Sequence, residues 1–146
     1  MSDSPVVHRD MFRAVVGDVI GRGSNRVVYA CTINPVWVFK VEEGAGDFQN
    51  VTEWLIWSRV SDTPLAKWFA PCHYISPNGL ILVQSRTILA RPKEYADRMP
   101  VFFTDFKRSN YGILGKQLVC HDYGTALVLD HGLITTRMRK PKWWDE

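Results

Sequence analysis

Asp105-Phe106-Lys107-Arg108-Ser109-Asn110, followed twelve positions after the asparagine by Asp122-Tyr123-Gly124, supplies the group types that phosphoryl transfer requires. That chemistry uses a carboxylate beside the attacking hydroxyl, a cation near the transferred phosphate, and an amide oxygen with a second carboxylate to hold magnesium. Asp105, Lys107, Asn110 and Asp122 carry those four groups in that order. Between the two clusters, Tyr111-Gly112-Ile113-Leu114 and Leu118-Val119-Cys120-His121 read as short strands around the turn Gly115-Lys116-Gln117. A hairpin of that length sets Asn110 and Asp122 side by side. The D-x-K-x-x-N string is a weak signal alone, because polar surface loops also produce it.

Two upstream segments strengthen it. Ile20-Gly21-Arg22-Gly23-Ser24-Asn25-Arg26-Val27-Val28-Tyr29 places Gly21, Gly23 and Ser24 in a loop between two strands, where glycines let backbone approach phosphates closely. Nineteen residues after Gly21, the strand Val36-Trp37-Val38-Phe39-Lys40-Val41 carries a lysine in apolar company, which needs an anionic partner if buried. With these segments in this order, residues 15 to 125 resemble the protein-kinase-like superfamily and, more loosely in style and length, the small kinase-like proteins of tailed bacteriophages. The resemblance implies ATP and Mg2+ as cofactors. Val28 would lie over the adenine, and Lys40 would hold the phosphates. Asp105 would position the acceptor hydroxyl, Lys107 would neutralise developing charge, and Asn110 with Asp122 would bind the metal.

The elements that must position these residues follow in sequence. Asp47 to Ser61 reads as a helix with Asp47 as N-cap and Phe48, Val51 and Leu55 at helical intervals, while Glu53 shares a second face with Ile56, Trp57 and Val60. A carboxylate on an apolar face needs a cation, and the family's choice is Lys40; the other reading of Glu53 is a solvated helix residue, with Glu42 and Glu43 as rivals. Ser61-Asp62-Thr63-Pro64 stops the helix. Cys72-His73-Tyr74-Ile75 and Leu80-Ile81-Leu82-Val83 then form a hairpin closed by Ser76-Pro77-Asn78-Gly79. Gln84 to Thr87 would be the hinge, whose backbone takes the adenine edge.

The expected fold is therefore α+β and kinase-like, a five-stranded antiparallel sheet with one main helix and a strongly reduced C-terminal lobe. Positions 12–88 would form the N-terminal lobe and 89–136 the reduced lobe with its catalytic and metal-binding loops, ahead of a basic tail at 137–146. Only one short helix, around Lys93 to Arg98, fits between hinge and catalytic loop. Phe103-Thr104 stands where the family has histidine-arginine, so activity would not depend on reading a phosphorylated activation loop. Arg26 replaces the third glycine, which a side chain pointing outward permits. After Gly124 no activation segment or substrate platform is legible; Ala126 to Leu129 and Leu133 to Thr136 read as a further hairpin.

Composition agrees with one compact domain. The 146 residues are 46% hydrophobic and 23% charged, and the three cysteines, Cys31, Cys72 and Cys120, are far apart in strand-like sequence and read as reduced and buried. Zinc at Cys72, His73, Cys120 and His121 is disfavoured, because adjacent strand residues face opposite sides. His121 reads as structural. No apolar run approaches the ~20 residues of a membrane span and Met1 to Asp10 lack an apolar signal core, which places the chain in the cytoplasm, that of the host if a phage encodes it. The net charge of +3 comes mostly from the tail, where Arg137, Arg139, Lys140 and Lys142 outnumber Asp145 and Glu146 by two. Trp143 and Trp144 there either pack on this chain or a second copy, meet a protein partner, or stack on nucleic acid; the small surplus disfavours the last. Two functions are carried forward, a phosphotransferase with a protein or other hydroxyl acceptor and a nucleotide-binding pseudokinase acting on a host protein. The third reading is a small interaction domain in which the motif string is coincidence.

Overall fold

The computed structural model describes residues 5–44, 47–124 and 137–146. Helix α1 (Pro5–Val15) leads directly into β1 (Val16–Arg22), which hairpins to β2 (Arg26–Cys31) and then β3 (Trp37–Glu42). Helix α2 (Gln49–Val60) crosses to a 3-10 turn at Pro64–Trp68, β4 (Cys72–Ile75) and β5 (Ile81–Ser85). A second 3-10 turn at Pro92–Glu94 precedes β6 (Met99–Pro100), and a third at Arg108–Asn110 opens the hairpin of β7 (Tyr111–Leu114) and β8 (Gln117–Cys120). The tail returns as β9 (Met138–Arg139) to pair with β6. The large sheet is antiparallel with order β1-β2-β3-β5-β4, so the fold is α+β around a five-stranded sheet.

Strand alternation divides this sheet into two chemically different faces. Phe39 of β3 and Val83 of β5 turn to one side with Cys31, where Phe12 and Val15 of α1 cover them. Leu82 turns to the other side and joins Ile56 and Val60 of α2. That second cluster continues through Phe69, Phe102, Phe103, Tyr111 and Tyr123, so residues before and after position 88 share one core. Phe69 is its centre, with ring centroids 5.0 Å from Tyr123, 5.4 Å from Phe103 and 5.7 Å from Phe102.

Several local expectations are corrected. Helix α2 begins at Gln49 with Phe48 at its N-cap in the left-handed region, φ 53°, and no side chain caps it. Asp47 instead accepts a hydrogen bond from Asn25. The stripe Phe48 and Leu55 lies outward, 63% and 58% exposed, and the buried face is Asn50, Glu53, Ile56 and Val60. Burying a carboxylate with the apolar residues wins because cations meet it there. Gln84 lies within β5 rather than opening a hinge, and its side chain is fully buried. No α-helix forms over Lys93 to Arg98; Pro92 starts only the three-residue 3-10 turn. The β7-β8 turn is tighter than expected, with Gly115 at φ 65° and Gln117 already paired to Leu114. The hairpin expected over Ala126 to Thr136 lies outside the described residues.

Trp143 anchors the tail. Its ring centroid lies 4.9 Å from Tyr111, 5.0 Å from Tyr95 and 5.4 Å from Phe106, and its indole N–H donates to the Ala96 carbonyl at 2.9 Å. Because the ring is half-buried, Trp143→Ala should cost about 2–3 kcal/mol, below the usual range for a core tryptophan, and lower the melting temperature by about 5–10 °C. Chemical unfolding reads this directly. A loss below about 0.5 kcal/mol is the size of a surface substitution and would show that the tail does not belong to the fold.

Candidate functional site

Alternation along β2 and β3 decides what faces the cleft. Val28 pairs across the ladder with Lys40, and Val38 with Gln84, so all four share the face toward α2 and the β7-β8 hairpin. Arg26 lies two residues before Val28 and therefore shares that face too. This overturns the outward orientation expected for it. The arginine is 6% exposed and points inward. A cleft of about 650 Å³ opens there, with Gly21, Gly23, Ser24, Val28, Lys40 and Gln84 along one wall. Asp105, Lys107, Asn110 and Asp122 line the other. Glu53 lies beneath its floor, fully buried.

Two cations and two carboxylates close the floor. Lys40 Nζ donates to Glu53 Oε1 at 2.9 Å and stands 3.3 Å from Asp122 Oδ1. Arg26 donates to Glu53 Oε2 and to Asp122 Oδ1, both at 2.7 Å. The backbone N–H groups of Tyr123 and Gly124 donate to Glu53 Oε2 at 3.1 and 3.0 Å. Gly124 eases this approach, because a Cβ there would stand 3.0 Å from the Gln49 carbonyl and 3.2 Å from Glu53 Oε2, tight enough to require a small shift of its neighbours. Lys40 also donates to the carbonyl of His121. Burial alone pushes the Asp122 carboxyl up, but the charges of Lys40, His121 and Arg26 outweigh it and hold the group well below the usual carboxylate range. Burial would lower the Arg26 pKa, and the adjoining Glu53 and Asp122 reverse that shift.

Asn50 stabilises the arginine from behind. Its Oδ1 accepts from Arg26 at 3.1 Å while its Nδ2 donates to the carbonyls of Lys40 at 2.9 Å and Gly79 at 3.1 Å. Sequence reasoning missed both Asn50 and Arg26. The signal for Arg26 was present in β2, where a residue facing the cleft at position 28 requires another at 26. For Asn50 no such signal exists; an asparagine in the first turn of a helix reads as a cap or a surface residue.

The opposite wall is a loop closed on Asp105. Oδ1 of this half-buried carboxylate accepts from the Lys107 backbone N–H at 3.1 Å and from the Trp144 indole at 3.0 Å, and Oδ2 accepts from Asn110 Nδ2 at 3.3 Å. A carboxylate has about four acceptor positions, and the donors among the described residues fill three, leaving one on Oδ2 of a residue that lines the cleft. The backbone carbonyl of Asn110 accepts from the N–H groups of His121 at 2.9 Å and Asp122 at 3.3 Å, which sets positions 110 and 122 side by side as the hairpin requires. His121 is tied down at both ring nitrogens, to Thr87 Oγ1 at 2.7 Å and the Ser109 carbonyl at 2.8 Å. Burial holds its pKa below the ordinary value. It is a structural residue, locking the hairpin to the segment after β5.

The tail completes this wall, a feature only partly foreseen. Trp144 exchanges backbone hydrogen bonds with Phe106 and Arg108, Lys107 Nζ pairs with Glu146 at 2.8 Å, and Arg108 with Asp145 at 2.9 Å. Of the placements open to the two tryptophans, packing on this chain is the one observed. The acidic partners are largely exposed, so each pair contributes at most about 1 kcal/mol and Lys107 is readily released.

No protein-family model and no curated protein matches this chain. Among the described residues no helix is long and apolar enough to cross a membrane.

Proposed function

We propose that the chain is a minimal protein-kinase-like phosphotransferase that moves the γ-phosphate of ATP to a hydroxyl acceptor. One observation carries the reading. Lys40, ion-paired to the helix carboxylate Glu53 and touching Asp122, shares with Asp105 and Asn110 a single cleft edged by the end of β1 and the turn after it, Gly21 to Ser24. A coincidental motif string would scatter these residues over the surface. In this reading the five-stranded sheet with α2 is the nucleotide-binding lobe, and the part of the reduced catalytic lobe within the described residues runs from 89 to 124 and carries Asp105, Asn110 and Asp122.

The donor set fits magnesium. Asp122 and Asn110 offer hard oxygen ligands on neighbouring backbone, and the Asn110 amide N–H on Asp105 leaves its Oδ1 for another partner. Among the described residues no three His, Cys, Asp or Glu side chains gather to ligate a metal by themselves, so an ion here would fill its shell with water and phosphate oxygens. Bound there, it would neutralise phosphate charge. Lys40, held by Glu53, binds the phosphates without having to reorganise. Asp105, fixed by three donors, keeps its open Oδ2 position for the acceptor hydroxyl and takes up its proton as the phosphoryl group transfers. Lys107, once free of Glu146, offsets charge on the transferring group.

Magnesium and a slowly hydrolysed ATP analogue should together raise the melting temperature. At about a hundred times the dissociation constant the gain is roughly 2.7 kcal/mol, or several degrees for a domain of this size. A melting curve unmoved by millimolar nucleotide and metal would remove the proposal. A second reading, a nucleotide-binding pseudokinase that captures a partner protein, is favoured by the tail lying against Asp105. Both readings share the nucleotide site and differ in the use of Asp105.

A further inference from the structure

We propose that Arg26 is a positioning residue that neutralises Asp122 in the metal-free protein and is handed to the nucleotide's phosphates when a divalent ion takes that carboxylate. The inference rests on the phosphotransferase or nucleotide-binding reading of the cleft. It starts from one nitrogen of the arginine, which lies 2.7 Å from both Glu53 Oε2 and Asp122 Oδ1. Glu53 also takes Lys40 and two backbone N–H groups, so it holds its position whether or not Asp122 moves. Asn50 fixes the other terminal nitrogen of the guanidinium at 3.1 Å. Arg26 is thus anchored on α2 by two contacts and joined to the far wall of the cleft by one. Its charge stands at the base of the turn from Gly21 to Ser24, beside the cleft that this turn edges.

Charge arithmetic explains the consequence. Lys40 and Arg26 balance Glu53 and Asp122, so the floor of the cleft is neutral. A bare divalent ion at Asp122 would meet a carboxylate whose charge two cations already share through Oδ1. A lysine can shed its proton under such pressure, but a guanidinium cannot, so Arg26 must either repel the ion or turn away. Triphosphate arriving with the ion resolves the conflict, because it brings the anionic oxygens to which the freed N–H donors of Arg26 can turn. Metal and nucleotide would then bind far better together than either does alone. Arg26 is the residue that couples them.

The test measures Mn2+ binding without nucleotide, and binding of a fluorescent ATP analogue with Mn2+ and in excess chelator. Arg26→Gln should tighten Mn2+ alone by about tenfold and weaken nucleotide binding in the presence of Mn2+ by about tenfold, the scale of one charged hydrogen bond. Arg26→Lys keeps the charge without the fork and should fall between. Asp122→Asn approaches the same contact from the other side and serves if the arginine variants do not fold. It should improve nucleotide binding in chelator, since Arg26 and Lys40 are both released toward phosphate, and lose the gain from Mn2+. If Arg26→Gln is less stable yet shows wild-type Mn2+ affinity and wild-type metal dependence, Arg26 is only structural and the proposal is wrong. No improvement for Asp122→Asn in chelator would overturn it as well. A wild-type protein that binds neither Mn2+ nor nucleotide sinks this inference together with the reading beneath it, whereas normal wild-type binding with unchanged variants sinks the role of Arg26 alone.

Discussion

Asp105→Asn should lower phosphoryl transfer by about two to four orders of magnitude and leave nucleotide affinity almost unchanged. The substitution preserves shape and one oxygen. It replaces the other by a donor that faces the Lys107 N–H and the Trp144 indole or the Asn110 amide, and it removes the group that in the proposed reaction accepts the acceptor's proton. Nothing in that change touches Lys40 or Asp122. Asp122→Asn should act differently, abolishing metal-dependent nucleotide binding and transfer together. Labelled ATP with a cell lysate as acceptor pool reads both variants against wild type, provided each first shows a normal melting curve. If wild type transfers nothing but still captures the same partner protein as Asp105→Asn, the phosphotransferase reading fails and the pseudokinase reading replaces it.

Glu53→Ala should destabilise the fold by about 3–5 kcal/mol, the usual cost of stripping one partner from a buried ion pair. The side chain is fully buried and receives Arg26, Lys40, Tyr123 N–H and Gly124 N–H. Its loss leaves two cations, each nearly inaccessible to water, with the partly exposed Asp122 as the carboxylate still in contact with them and only the neutral Asn50 and His121 oxygens beside it. Glu53→Gln retains acceptor oxygen for some of these donors and should cost less, while still weakening phosphate binding through the misplaced Lys40. Denaturant unfolding at matched m-value measures the difference. A loss under about 1 kcal/mol for the alanine variant would mean that water enters the quartet and that Glu53 is not what holds Lys40.

The strands of the large sheet and the β7-β8 hairpin were legible because their signals are local. Alternating apolar residues, Gly79 and Gly115 at turns, and proline after the helix each act within a few positions, and β3, β4, β5 and β7 begin within one residue of their expected starts. Order along the chain likewise brought Lys40, Asp105, Asn110 and Asp122 into one hypothesis before any distance was known. The helix was harder. Its more regular apolar stripe, Phe48 to Leu55, pointed to solvent, because the core selected the face that could also deliver Glu53 to two cations. Periodicity weighs hydrophobicity and cannot weigh a charge that is satisfied elsewhere.

What the sequence by itself determined was the α+β class, the starts of β3, β4, β5 and β7, and most of the polar side chains that line the cleft. Only the tertiary structure decided which of their charges neutralise one another: that Arg26 turns inward to Asp122 across 96 residues of chain, that Asn50 supports it, and that Trp144 reaches back 39 residues to Asp105. The physical reason is range. Turn geometry and strand alternation arise between near neighbours, whereas an ion pair forms wherever folding brings opposite charges into a site that excludes water, and sequence separation does not enter its energy.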